Sequence, residues 1–201
     1  MTVQPKQQTG RMRMGSGRQD KDEQAAAAPL GEVRSSLTPG SWGGNMDTSE
    51  MRVGATCYLG VNVEGAMLSF GDGHARQAEG EICGVAVECA MDSVVIVDLI
   101  KDTPTPWPRL ESDDYLMTTG SAKPLEDAFR IAHTEMVRWL AELLELSEMD
   151  AYQLVSQVAL SPVANVCDTV YTMVCKVPKK LIGSPIAFAG THAALRSRAR
   201  G

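Results

Sequence analysis

Fourteen consecutive residues constrain this chain more than any others: Gly71-Asp72-Gly73-His74-Ala75-Arg76-Gln77-Ala78-Glu79-Gly80-Glu81-Ile82-Cys83-Gly84. They hold one of the chain's three histidines, three carboxylates, a thiol and four glycines. Glycine takes positive φ at little steric cost, so such a stretch can reverse direction and aim its polar side chains into one small volume. With extended flanks, Asp72 and His74 point one way, as do Glu79, Glu81 and Cys83, because side chains alternate along a strand. Crowded carboxylates raise one another's pKa, whereas a neighbouring imidazole or metal ion lowers it, and that contrast separates a proton donor from a proton acceptor. The stretch reads as an active-site loop. Its competing reading is a Gly-Asp-Gly turn between solvated acids.

The flanking sequence supplies a frame. Arg52 to Gly60 and Val61 to Phe70 predict two strands, and Ile82 to Cys89 and Ser93 to Ile100 two more, rich enough in valine to be buried on both faces. Pro104, Pro106 and Pro108 then force a loop or an edge, before short strands at Arg109 to Glu111 and Tyr115 to Thr118. The hydroxyls of Thr118 and Thr119, ahead of Gly120, bind a small ligand or serve a local turn. Pro124 to Leu144 carries an apolar stripe at helical spacing, with His133 beside it as a structural or surface residue. Ser147-Glu148-Met149-Asp150 has the spacing of a capping box and opens a second helix that runs to about Leu160 and stops at Pro162. Asn165 and Asp168 line the cleft or form a turn, and the alternation of Tyr171, Met173, Cys175 and Val177 makes a closing strand ended by Pro178. The expected class is α+β: a β-rich domain of sandwich-like sheets with a pair of C-terminal helices packed on a sheet.

Composition sets the boundaries and excludes some functions. Residues 1–30, rich in Gln, Gly, Lys, Arg and Asp, predict a disordered tail; residues 31–185 predict the folded domain, and residues 186–201 a loose basic tail. A net charge of −6 and a pI near 5.1 argue against nucleic acid as a partner. No apolar run is long enough to cross a bilayer, and the N-terminus lacks the hydrophobic stretch of a secretion signal. Five cysteines without a Cys-x-x-Cys pair predict reduced thiols and a cytoplasmic protein. The absence of a Gly-rich phosphate loop speaks against an organic cofactor.

Several motifs in order carry a resemblance. Gly43-Gly44-Asn45-Met46-Asp47, Val63-Glu64-Gly65-Ala66, Gly71-Asp72-Gly73-His74-Ala75 with Gln77, Gly80-Glu81-Ile82-Cys83-Gly84, Met117-Thr118-Thr119-Gly120, the helix from Asp127, and Val177-Pro178-Lys179 resemble the acetamidase/formamidase family. The sequence departs from the family pattern at Ala78-Glu79, where Gly-Asp is usual, and in lacking the β-rich portion that precedes Gly-Gly-Asn-Met-Asp. The resemblance implies an amidohydrolase that cleaves short amides, formamide and acetamide, to carboxylate and ammonia, and a homo-oligomer.

Amide hydrolysis needs a polarised carbonyl, a deprotonated water and a protonated leaving nitrogen. Within the resemblance, Glu81 is the general base and acid, and Asp72 and His74 are metal ligands or, without metal, a proton relay. Asn45 and Asp47 hold the substrate amide. Mixed carboxylate and imidazole ligands admit zinc or calcium. Two other readings stay open: Cys83 as a nucleophile activated by Glu81 or His74, and a non-catalytic binding or assembly module that pairs with a fuller relative.

Overall fold

The computed structural model describes residues 12–13 and 35–200. Apart from residues 12–13, the expected disordered tail lies outside the described residues. The strands are β1 (Met12–Arg13), β2 (Thr56–Tyr58), β3 (Asp92–Ser93), β4 (Arg109–Glu111), β5 (Tyr115–Ala122), β6 (Val163–Asn165) and β7 (Tyr171–Pro178); the helices are α1 (Leu125–Leu143), α2 (Glu148–Val158) and α3 (Thr191–Arg200). Five strands form one antiparallel sheet in the order β2-β4-β5-β7-β6, and β1 pairs separately with β3. The class is α+β, as expected.

The alternation in β5 and β7 decides which layers form. The two strands pair from Tyr115 opposite Pro178 to Ala122 opposite Tyr171. Leu116, Met173, Cys175 and Val177 then face the helices and join Ala128, Ala132, Met136, Trp139 and Leu140 of α1 in one core, while Met117 and Val174 face the other way with Leu110 and Ala164. α1 begins where expected, after Pro124 and with Glu126 and Asp127 in its first turn. It lies so close to β5 that a Cβ on Gly120 would come within 2.5 Å of Ala128 O and Ala132 N. Thr118 Oγ1 donates to Ala132 O and Thr119 Oγ1 to Pro108 O, so both hydroxyls serve strand packing. Ser147 caps α2 by accepting the N–H of Asp150. His133 ties α1 to the chain before β6, at 2.8 Å from Phe129 O and 2.9 Å from Ser161 Oγ.

The valine-rich runs differ from expectation. Val61 to Phe70 forms no strand, Arg52 to Gly60 contributes only β2, and Ile82 to Cys89 contributes only a bridge of Glu88 with His74. Of the run from Ser93 only Ser93 itself is strand, in β3. These segments are solvent-facing rather than buried on both faces: Ile82 is 84% exposed and Val94 78%. β-Branched composition shows that residues suit a pleated surface; a strand also needs a partner ladder. β2, the edge of the main sheet on this side, pairs only with β4 among the described residues. Beside the five-stranded sheet, the described residues hold only the two-stranded β1–β3 pair.

The segment after residue 186, expected to be loose, folds as α3. Ala193, Ala194 and Leu195 are strong helix formers among its arginines. His192 anchors the helix between Thr56 Oγ1, at 2.8 Å, and Asp113 Oδ1, at 3.0 Å.

Candidate active site

The glycine-rich loop is strapped to the free edge of β6. Gly80, at φ +85°, donates to Val163 O at 2.8 Å and accepts from Val166 N–H at 2.9 Å. A short antiparallel contact fixes its other limb: Ala75 N–H to Val87 O, Val87 N–H to Arg76 O and Cys89 N–H to Gly73 O. The Gly-Gly-Asn-Met-Asp segment reaches the same place, with Asn165 Nδ2 donating to the carbonyls of Asn45 and Met46. Asp47, Asp72 and Glu81 all sit in left-handed backbone, at φ 46°, 63° and 42°. That conformation is unusual for residues other than glycine, and it clusters where surrounding structure over-determines the chain. It also breaks the expected alternation: Glu81 turns inward to 8% exposure, while Glu79 and Cys83 remain exposed.

Gln77 fixes the chemistry of His74. Its Nε2 donates to the carbonyls of Asp47 and Ala164, which leaves Oε1 facing His74 Nδ1 at 2.9 Å. An amide oxygen only accepts, so Nδ1 carries the proton. The free nitrogen, Nε2, looks into a ring of acids: Asp72 Oδ1 at 3.1 Å, Glu88 Oε2 at 3.2 Å and Glu81 Oε1 at 3.9 Å. Burial alone would lower the pKa of His74, but the Gln77 bond and the charges of Asp72, Glu88 and Glu81 raise it on balance. Nε2 therefore either holds a second proton or offers its lone pair to a cation in the same position.

The acids crowd one another. Burial, above all, pushes the Asp47 carboxyl up to about 9, helped by a hydrogen bond with Asp168 and by the charges of Glu81 and Asp168. Burial also raises Glu81, against the lowering pull of His74. Asn45 Nδ2 bridges Asp47 Oδ2 at 2.9 Å and Asp168 Oδ2 at 2.8 Å, and Asn165 Nδ2 donates to the same Asp47 oxygen at 3.0 Å. Asn165 is fully buried, and its Oδ1 has no partner among the described residues. An orphaned buried acceptor costs on the order of 1–3 kcal/mol.

Asn45, Asp47, Asp72, His74 and Glu81, the residues singled out from the sequence, thus come together at one place. Gln77, Glu88, Asn165, Cys167 and Asp168 join them. Gln77 stood in the motif that carries the resemblance, and Asn165 and Asp168 had a sequence signal as polar residues just ahead of the closing strand, one that also fitted a turn; Glu88 and Cys167 had no site signal. The thiol beside Glu81 is Cys167, 3.8 Å from Oε2, whereas Cys83 Sγ points to Val85 O.

The chain matches the model of the Acetamidase/Formamidase family over residues 2–180. It belongs to that family. Crystal structures with similar folds are described as acetamidases or as acetamidase/formamidase. An acetamidase from Yersinia enterocolitica is 42% identical with a TM-score of 0.74, the match covering 75% of this chain and 46% of that one. An acetamidase from Bacillus halodurans is 35% identical with a TM-score of 0.72, covering 78% and 53%. A predicted acetamidase/formamidase from the thermophile Thermoanaerobacter tengcongensis is 33% identical with a TM-score of 0.71, covering 74% and 50%. The chain spans about half the length of these solved relatives. No curated protein matches it.

For this member of the acetamidase/formamidase family, two groups of side chains have the composition of a cation site. Asp47, His74 and Glu81 form one and Asp72, His74 and Glu88 the other, with ligand atoms within 4.8 Å of one another in each. Two carboxylates and an imidazole suit a divalent ion. The first group fits better, because Glu81 is buried and Asp47 half-buried, and both lie against like charge, a situation that a bound cation relieves. The lone pair on Nε2, freed by Gln77, fits the same role.

Proposed function

We propose that the chain hydrolyses short aliphatic amides, formamide and acetamide, to carboxylate and ammonia. The observation that carries this reading is Glu81, a buried acid with a raised pKa beside an imidazole whose Nε2 is held toward it. Asp47 and His74 would hold a divalent ion, zinc or calcium, with Asp72 beside them, and such an ion, when bound, supplies Lewis-acid polarisation of the amide carbonyl. Glu81 takes a proton from water as the water oxygen attacks the carbonyl carbon. The same acid passes that proton to the nitrogen as the C–N bond breaks, so ammonia leaves and the carboxylic acid remains, which then gives its proton to ammonia and becomes the carboxylate. Asn45 and Asp47 border the substrate amide and orient it.

Ammonia release from formamide and acetamide, measured after chelator treatment and again with added zinc or calcium, tests this reading. Glu81→Gln should lower turnover by about 10²–10⁴-fold while the folded structure survives. Undiminished turnover in that variant removes Glu81 from the mechanism.

The exposed apolar run from Val61 to Ile100 favours a second reading. A chain that presents Val85, Val94 and Val97 to solvent suits a binding or assembly module that pairs with a fuller relative. A homo-oligomer would cover the same face. Sedimentation of the purified chain alongside the ammonia assay separates the two: an inactive chain that associates through this face supports the module. Described residues contain no helix long and apolar enough to cross a membrane. All five cysteines are unpaired, which suits a reducing compartment such as the cytoplasm.

A further inference from the structure

We infer that Asn165, with Asn45, is a positioning residue that fixes the aim of the Asp47 carboxylate toward a cation, an inference that rests on the cation site proposed above. Three oxygens converge on Asn165 Nδ2: Asn45 O and Met46 O at 3.3 Å and Asp47 Oδ2 at 3.0 Å. Their convergence dictates which end of the amide faces them, since the other end would set oxygen against three acceptors. The structure accepts an unpartnered Oδ1 on the far side of a fully buried group as the consequence. Asn45 Nδ2 binds the same Asp47 oxygen from a second direction and ties it to Asp168. With Oδ2 claimed by two amides, the Asp47 carboxylate cannot turn freely, and its position relative to His74 and Glu81 is set before any ion arrives.

The sign of one substitution separates this role from simple electrostatics. Asn165→Asp keeps the shape but replaces the donor with an acceptor and adds a negative charge. If Asn165 only contributed to local charge, the added carboxylate would tighten cation binding. If it aims Asp47, the repelled carboxylate swings away and binding weakens, by about 10- to 100-fold. The experiment is isothermal titration of the full chain, freed of metal by chelator, with zinc and separately with calcium. A melting curve of each variant without metal shows whether it is folded. Weaker binding in folded Asn165→Asp supports the clamp, and equal or tighter binding overturns it while leaving the cation site in place. A wild-type chain that takes up neither ion overturns the cation site and the clamp together. Should Asn165→Asp fail to fold, Asn45→Ala at the half-exposed member of the pair decides instead: weaker binding supports the clamp, and unchanged binding overturns it.

Discussion

At the scale of single residues, the side chains that do not react matter as much as those that do. Gln77 binds no substrate in the proposed mechanism, yet it sets which nitrogen of His74 is free and joins three separated segments through its amide. Gln77→Leu should retain the fold and lower zinc affinity by about 10- to 100-fold, measured by titration. Unchanged affinity would mean that the tautomer is set elsewhere. Glycine spacing and the density of acids were enough to single out Asp72, His74 and Glu81. Sequence spacing could not show that Glu79 and Cys83 would face solvent, because the turn at Gly80 and Glu81 breaks the two-residue period on which the alternation depends. Sequence named Asn165 as a cleft or turn residue but could not decide between the two, because the choice rests on a contact with a residue 118 positions away.

At the scale of elements, periodicity carried the prediction well wherever one face is buried. α1, α2 and β7 each fall within a residue or two of their expected limits, since a helical stripe, a capping serine and a two-residue alternation are all local signals. The contact between β5 and α1 is steric in origin, and Gly120→Ala should destabilise the chain by about 1–3 kcal/mol, read from the urea midpoint. No change would mean that the helix can retreat. α3 was hidden by its arginines, and its anchor depends on charge. The Arg196 and His192 hydrogen bonds hold the Asp113 carboxyl at about 2, below its ordinary 3.8. A lowered carboxylate pKa stabilises the fold above the ordinary value and loses that contribution as pH falls from about 4 toward 2. The wild type should therefore lose stability in acid more steeply than Asp113→Asn, by melting temperature across that range. Parallel curves would show that α3 is held mainly by other contacts.

At the scale of the whole molecule, the main sheet with its helices holds most of the buried core, while most of the run from Val61 to Ile100 has the composition of strands without their ladders. Local sequence reports propensity, and only the surrounding polypeptide decides whether a strand closes. The site lies where these two regimes meet, strapped by Gly80 to the finished sheet on one side and continuous with the irregular run on the other. Asp47, Asp72 and Glu81 occupy backbone that glycine would adopt at ease. Selection for durability alone would have placed glycine at 81, relaxing the turn and discarding the carboxyl that the proposed hydrolysis uses to carry a proton. A glutamate there, in a posture it does not favour, leaves this corner of the protein less robust than glycine would, a cost that the proposed proton transfer would account for.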